Sequence, residues 1–255
     1  MNQYIIPNLA KGVGVLRLLS EHPSGLSALQ IERHTKLPRT TVFRILKTLQ
    51  AEGLVCKRAN QFMAGPGLLE IGLNALNQLD IRALAVPILQ DLTHETGFTS
   101  HLAVPSGRQS LLLEVCDCSG PVRVASRAGS AVDLHCSSTG KVFLAFLYAD
   151  AIKEFYQDRP LTRRTASTIT DLEQLQLSLE QIRKQGYAVD DGEYHEDIRC
   201  VAAPVYHGDG SVIAAVGITA PANQLQKAKY SQLAQKAIIA AEKLSQQLGA
   251  PQRLE

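Results

Sequence analysis

The chain has 255 residues, 45% hydrophobic and 20% charged, which is ordinary for a globular protein that buries its own core. This length suits two domains, and the formal net charge of +2 excludes a chain that is basic throughout. No run approaches the roughly 18 apolar residues of a membrane-spanning helix, and the first residues lack the basic start and apolar stretch of a secretory signal. We therefore expect a cytoplasmic protein with no membrane partner.

The charge is unevenly distributed along the chain. Residues 1–60 contain nine Lys or Arg and three Glu, a net charge of +6. The remaining residues contain 17 basic and 21 acidic side chains, a net charge of −4. Any binding of a polyanion is therefore expected in the N-terminal part.

The run from Leu37 to Gly53 has the pattern of an amphipathic helix. Its apolar face consists of Val42, Ile45, Leu46 and Leu49. Its polar face carries cations and hydroxyl groups and no carboxylate before Glu52. The candidate DNA contacts on this face are Arg39, Thr40, Thr41, Arg44 and Lys47. Arg44 suits a guanine edge, the threonines a thymine methyl or a phosphate, and Lys47 a phosphate.

Two shorter helices precede this run. Residues 8–20 form the first, with Leu9, Val13, Leu16 and Leu19 expected in the core, and with Val15 and Leu18 available to a partner chain. Residues 28–34 form the second, capped by Ser27, with Leu29 and Ile31 as core positions. A three-residue joint to the basic helix gives a helix-turn-helix.

Residues 54–65 read as two strands around an Ala59–Gln61 turn, with Lys57 and Arg58 near the tip as further phosphate contacts. Residues 1–65 therefore predict a winged helix-turn-helix domain. An ordinary surface helix with a solvated basic face is the alternative, and the occurrence of helix, joint, helix and wing in order argues against it.

Residues 66–79 predict a linker helix with apolar residues on more than one face, which favours packing against a second copy. Residues 80–250 predict an α+β domain with short antiparallel strands and with helices gathered to the ends and one face. The predicted helices span 81–96, 142–147, 149–156, 171–185 and 224–248, and the strands 99–104, 110–115, 122–126, 201–207 and 212–219.

Three segments of this domain suggest a ligand pocket. Ser138 and Thr139 lie where a helix begins, so unpaired backbone N–H groups can bind a carboxylate or phosphate there, although a simple capping loop explains them equally well. Asp190, or its neighbour Asp191, can accept a hydrogen bond from a ligand hydroxyl. Cys200 begins a strand and faces inward, and strand alternation puts Gly217 and Thr219 on one face.

Metal binding and catalysis have weaker support. Five cysteines in no disulfide pattern predict free, mostly buried thiols. A set of His, Cys and Glu side chains could converge on an ion, but no pair has standard ligand spacing. These are His135, Cys136, His195, Glu196 and Cys200. No nucleophile or phosphate-loop motif occurs, so we expect no catalytic residue, metal or cofactor.

The chain as a whole, from about Leu9 to Leu248, resembles the IclR family of bacterial transcriptional regulators. The motifs that carry the resemblance are Leu37–Leu46, Leu134–Ala145, Gly186–Val205 and Ala214–Pro221. The resemblance implies a winged helix-turn-helix domain joined by a linker helix to a GAF-like effector-binding domain. It also implies a homodimer, or a dimer of dimers, on palindromic double-stranded DNA.

The resemblance further implies which residues hold a small-molecule effector. The carboxylate of the effector would lie on the backbone amides of Ser138 and Thr139. The rest of the pocket maps to Asp190, Cys200, Gly217 and Thr219. The family has a serine where Gly217 stands and a second serine where Thr219 stands, so one ligand hydroxyl is missing, which suggests room for a larger ligand such as a sugar acid.

These features predict an effector-controlled transcriptional regulator, most simply a repressor of a catabolic operon. Two other classes remain open. A metabolite-binding enzyme would turn over its pocket ligand, and a winged helix used only for protein contacts would bind a random duplex no tighter than an unrelated protein of similar charge.

Overall fold

A computed structural model describes residues 5–77, 80–119, 126–157 and 160–251 of the chain. The chain divides into two compact units, Met1–Leu79 and Asp80–Glu255. In the described residues, no helix has both the length and the apolar character needed to cross a membrane.

The first unit consists of a three-helix bundle, a β-hairpin and a further helix. Its elements are α1 (Pro7–Ser20), α2 (Ala28–Thr35), α3 (Arg39–Ala51), β1 (Val55–Arg58), β2 (Gln61–Ala64) and α4 (Pro66–Asn77). The predicted continuation of α4 to Leu79 lies outside the described residues. The order is that of a winged helix-turn-helix.

A capping box and a left-handed residue fix the joint between α2 and α3. The Ser27 side chain accepts a hydrogen bond from the Gln30 N–H, and the Gln30 side chain accepts one from the Ser27 N–H. Lys36 ends α2 with a φ of 56°, and α3 begins after Pro38. The predicted Ser27 cap is confirmed.

The core of this unit lies between α1, α2, α3 and the hairpin, and it corrects part of the predicted set. Val15 is fully buried, although the sequence predicts that it is available to a partner chain. Leu9 and Val13, which are predicted core positions, are 63% and 43% exposed. Leu29 is 56% exposed, and Ile31 alone of the two predicted α2 positions is buried. Because α1 carries apolar residues on several faces, the helical period of its sequence does not show which face packs into the core.

The hairpin closes through a two-residue turn. Ala59 and Asn60 have φ values of 43° and 70°, and Arg58 pairs with Gln61 across the turn. Two consecutive left-handed residues match the twist of the flanking strands. The turn leaves Lys57 and Arg58 exposed near the tip of the wing.

The second unit is built on one six-stranded antiparallel sheet in the order β5-β4-β3-β8-β7-β6. The strands are β3 (Thr99–Ser106), β4 (Gln109–Cys116), β5 (Ala131–Asp133), β6 (Ala188–Asp191), β7 (Ile198–Tyr206) and β8 (Val212–Pro221). The helices are α5 (Asp80–Thr96), α6 (Ser138–Phe146), α7 (Ile152–Tyr156), α8 (Leu172–Gln185) and α9 (Tyr230–Gln247). Of the predicted strand at 122–126, residues 122–125 lie outside the described residues, and β5 and β6 were not predicted.

Helices cover both faces of this sheet, which corrects the expectation that they gather on one face. Ser100 and His101 are neighbours in β3 and therefore point to opposite faces. Ser100 donates a hydrogen bond to the Leu89 carbonyl of α5, while His101 lines a cavity together with residues of α6. The α+β class and its antiparallel pairing are confirmed.

Candidate functional site

The polar face of α3 is exposed in the first unit. Thr40, Arg44 and Lys47 lie opposite the buried side chains of this helix and are all exposed, as is Arg39 in its first turn. Thr41 is half-buried and lines a groove of about 530 Å3 between α1 and α3. We call the five predicted residues of this helix (Arg39, Thr40, Thr41, Arg44 and Lys47) the α3 surface.

The cations of the α3 surface and of the wing are unpaired. Across the described ranges, no carboxylate forms an ion pair with Arg39, Arg44, Lys47, Lys57 or Arg58. Unpaired cations on one exposed helix and on a nearby hairpin remain available to the phosphates of a nucleic acid.

An aromatic residue in this region was not predicted as a contact. Phe43 is 58% exposed, and the ammonium group of Lys47 lies 5.8 Å from its ring centroid. The spacing itself gives the signal, since Phe43 falls out of phase with the buried Val42, Leu46 and Leu49.

A cavity of about 230 Å3 opens in the second unit beside the start of α6. Five of the six predicted effector residues line it: Ser138, Thr139, Asp190, Cys200 and Thr219. Other lining residues were not predicted, among them His101, Leu112, Ser137, Tyr194 and Ile198.

The first turn of α6 presents backbone donors to this cavity. Ser137 is the N-cap, with its Oγ accepting from the Gly140 N–H at 3.2 Å and donating to the Asp133 carbonyl at 2.7 Å. The alternative in which Ser138 or Thr139 caps the helix is therefore wrong. These two residues occupy the first turn, where N–H groups have no partner within the helix, and the Thr139 hydroxyl lies 2.7 Å from Ser110 Oγ.

Among the described residues that line the cavity, Asp190 is the one carboxylate. Its Oδ1 accepts hydrogen bonds from the N–H groups of Glu193 and Tyr194, at 2.7 and 3.3 Å. Burial raises the pKa of Asp190 to about 7, although Lys141 and the backbone donors oppose the shift. At neutral pH this carboxyl group can therefore either accept or donate a hydrogen bond.

Cys200 and Thr219 form the adjoining part of the wall. Cys200 Sγ lies 3.3 Å from Thr219 Oγ1, and burial raises the pKa of the Cys200 thiol, so the thiol is neutral. Thr219 Oγ1 also lies 3.4 Å from His101 Nδ1. Burial lowers the pKa of His101 to about 4, which keeps the imidazole neutral at pH 7.

Gly217 does not line the cavity. A Cβ at this position would overlap the His101 ring, so the imidazole fills the space that a side chain would take. The suggestion that this glycine makes room for a larger ligand is therefore wrong. The ring occupies that room instead.

A buried ion pair lies behind the wall. Lys141 and Glu193 are 3% and 7% exposed, and the Lys141 ammonium donates to Glu193 Oε1. No lysine or arginine lines the cavity within the described part of the chain. A ligand would therefore meet hydroxyls, a neutral imidazole, the Asp190 carboxyl group and apolar side chains such as Leu112 and Ile198.

The sequence-predicted metal set does not converge. Within the described residues, the single group of three or more potential ligands is Asp133, His135 and Cys136, whose ligand atoms lie within 4.8 Å of one another. Arg164 already pairs with Asp133, and His135 Nε2 lies 2.9 Å from the Thr162 carbonyl. All five cysteines are free, as predicted, but only Cys118 and Cys136 are buried.

A winged helix-turn-helix with unpaired cations, followed by a unit with a small cavity, is the architecture of regulators that bind DNA and a small molecule in separate units. The chain belongs to the IclR family of bacterial transcriptional regulators. The model of the IclR helix-turn-helix domain matches residues 8–59, and that of the bacterial transcriptional regulator IclR C-terminal domain matches residues 73–246. The protein is thus a DNA-binding transcriptional regulator and not an enzyme.

Similar proteins agree with this assignment. The HTH-type transcriptional repressor AllR of Salmonella paratyphi A is 31% identical over 224 residues, which is 87% of this chain and 82% of the relative. The crystal structure of Thermotoga maritima IclR is 29% identical, with a TM-score of 0.69 over 95% of this chain and 99% of that one. An IclR transcriptional regulator from Alicyclobacillus acidocaldarius is 26% identical, with a TM-score of 0.82 over 95% and 99% of the two chains.

Proposed function

We propose that the protein is a repressor that binds a palindromic operator as a homodimer, or as a dimer of dimers, and that a small organic acid or sugar-derived metabolite controls it. The unpaired cationic face of α3 carries the proposal. Similar proteins named as repressors support repression rather than activation. Residues 1–65 would bind DNA, and residues 66–79 would link this domain to the next. Residues 80–250 would bind the effector and a second copy of the chain.

The α3 surface would enter the major groove. Arg44 can donate two parallel hydrogen bonds to a guanine edge, and Thr40 and Thr41 can contact a thymine methyl or a phosphate. Arg39, Lys47, Lys57 and Arg58 would bind phosphates, which positions the helix without selecting a sequence. Two copies would need to place their helices about 34–36 Å apart to bind successive half-sites.

The effector would lie in the cavity beside α6. Its carboxylate or carbonyl oxygen would accept from the N–H groups of Ser138 and Thr139. Asp190 would accept from a hydroxyl or N–H group at the other end, and Cys200 and Thr219 would contact the side of the ligand. A volume of about 230 Å3 suits a small, compact metabolite. Gly217 would act indirectly, by leaving space for His101.

The exposed cations of α3 and the wing give the test of DNA binding. Arg44→Ala should weaken binding to a selected duplex by about 1–3 kcal/mol and relax specificity at one base pair. Lys57→Ala should weaken binding to all sequences and flatten the dependence of affinity on salt. Fluorescence anisotropy with the tightest duplex selected from a random library, titrated at several salt concentrations, measures both effects.

Lys153→Ala is the matched control, because it removes an exposed lysine from the second unit. It should leave the affinity for the selected duplex unchanged. The assignment of α3 fails if Arg44→Ala and Lys57→Ala behave like this control.

A further inference from the structure

Phe43 is an apolar side chain in the middle of a cationic surface. It follows Arg39 by four residues and precedes Lys47 by four, so the three side chains lie in one row along α3. The phenyl ring is 58% exposed, and Lys47 Nζ lies 5.8 Å from its centroid. Because more than half of the side chain is exposed, the ring contributes little to the core of its own unit.

The surroundings of this ring are open. A cavity of about 590 Å3 lies between α2 and α3, and Phe43 and Leu29 are its exposed apolar members. Arg39, Thr40 and Arg44 line the same cavity on the α3 side, and Glu32 of α2 is its one acidic member among the described residues. A surface that presents a phenyl ring among cations and hydroxyls suits a partner that offers both anions and an apolar group.

Double-stranded DNA offers this combination. Its phosphates neutralise the cations, and the major-groove edge of the bases has one apolar group, the 5-methyl of thymine. A protein partner would have to pair Arg39, Arg44 and Lys47 with carboxylates of its own, and burial of such pairs would require desolvation of both charges. The row formed by Arg39, Phe43 and Lys47 therefore favours DNA as the partner.

We propose that Phe43 is a specificity-determining residue that contacts a thymine 5-methyl group in each half-site of the operator. This proposal rests on the proposed function, because it requires α3 to lie in the major groove. Arg44 would then specify a guanine, and Phe43 would specify a thymine near it.

Substitution of thymine by uracil tests the proposal, since uracil keeps the hydrogen-bonding edge and lacks the methyl group. Wild-type protein is titrated with the tightest duplex selected from a random library, and then with duplexes carrying deoxyuridine at one thymine of both half-sites at a time. Binding should weaken when uracil replaces one particular thymine that occupies the same position in both half-sites. Loss of one methyl contact should weaken binding about fourfold per half-site, and about fifteenfold for two half-sites if the effects add.

The same titrations are repeated with Phe43→Ala, Phe43→Leu and Leu29→Ala. Phe43→Ala should bind the thymine and uracil duplexes equally, whereas Phe43→Leu should keep part of the difference. Leu29→Ala is the matched control, because Leu29 is 56% exposed at the same cavity, and it should keep the full wild-type difference.

The outcomes separate this proposal from the proposed function. If wild-type protein binds a selected duplex but no thymine is sensitive to loss of its methyl, or if Phe43→Ala keeps the sensitivity, Phe43 is not the contact and DNA binding stands. A selected site without a thymine common to both half-sites also contradicts the proposal. If no duplex is selected at all, the proposed function fails together with it.

Discussion

At the residue scale, His101 and Gly217 form a matched pair beside the cavity. Strand β8 places Gly217 opposite His101 in the register of the sheet, and the ring occupies the space that a side chain at 217 would need. The neutral imidazole then lies next to Thr219. The absence of a side chain in β8 therefore shapes the cavity through a residue of another strand.

Gly217→Ala should displace this ring and destabilise the protein by about 1–3 kcal/mol, as overpacking of a buried site does. Urea unfolding followed by circular dichroism measures the change. The double variant Gly217→Ala/His101→Ala should be more stable than the sum of the two single effects predicts, because the second substitution returns the space. Additive effects would show that the two side chains do not compete.

Asp190 should make stability depend on pH. Its pKa is about 7 in the folded chain, against about 3.9 in an unfolded one. As pH rises from about 4 to 7, the unfolded state loses this proton while the folded state keeps it, so stability falls with pH through this window. Asp190→Asn does not titrate, and its unfolding free energy should gain about 2–4 kcal/mol relative to wild type between pH 4 and 7.5.

Asp209→Asn provides the control for this pH series. Hydrogen bonds from Ser211 lower the pKa of Asp209, so any pH effect at this exposed residue has the opposite sign. Urea midpoints measured across the pH series give the comparison. A constant difference between wild type and Asp190→Asn would mean that Asp190 does not carry a raised pKa.

At the element scale, two contacts near the start of α6 hold the cavity wall in place. Its first turn is fixed by the Ser137 cap, and Lys141 ties the helix to Glu193 in the segment between β6 and β7. The same segment brings Asp190 near α6, because the Glu193 N–H donates a hydrogen bond to the Asp190 carboxyl group. The two predicted pocket segments, around Ser138 and around Asp190, are thus held together by contacts within the protein.

Lys141→Met should destabilise the protein by about 3–5 kcal/mol, because it leaves the Glu193 carboxylate buried without a partner. The double variant Lys141→Met/Glu193→Leu should recover most of this loss, since no uncompensated charge remains. Urea unfolding of the two variants measures the difference. Equal losses in both would show that packing, and not charge, makes Lys141 necessary.

Local patterns were sufficient for most elements. The capping box at Ser27, the left-handed turn at Ala59–Asn60 and the helical period of α3 are fixed by neighbours in sequence, so the winged helix-turn-helix was predictable. Strands β5 and β6 were not, because each is short and depends on pairing with β4 or β7. His101 was missed for the same reason, since its role depends on a strand more than 100 residues away.

At the scale of the whole molecule, regulation requires that the effector bind differently to the DNA-binding and non-binding arrangements. The proposed effector cavity lies within the second unit, and the α3 surface lies within the first. A coupling of about 1–3 kcal/mol between two such sites changes affinity by about 5–150-fold. Ligand binding and operator binding must therefore be measured in the same full-length protein.

The most direct test of this coupling is the Kd for the selected duplex with and without a pocket ligand, found by thermal-shift screening of organic and sugar acids. We predict that the ligand raises this Kd at least about fivefold in the wild type. The response should be lost in Thr219→Val and in Asp190→Ala. A ligand that raises the melting temperature but leaves the Kd unchanged, or a response that persists in both variants, would contradict control of DNA binding through this cavity.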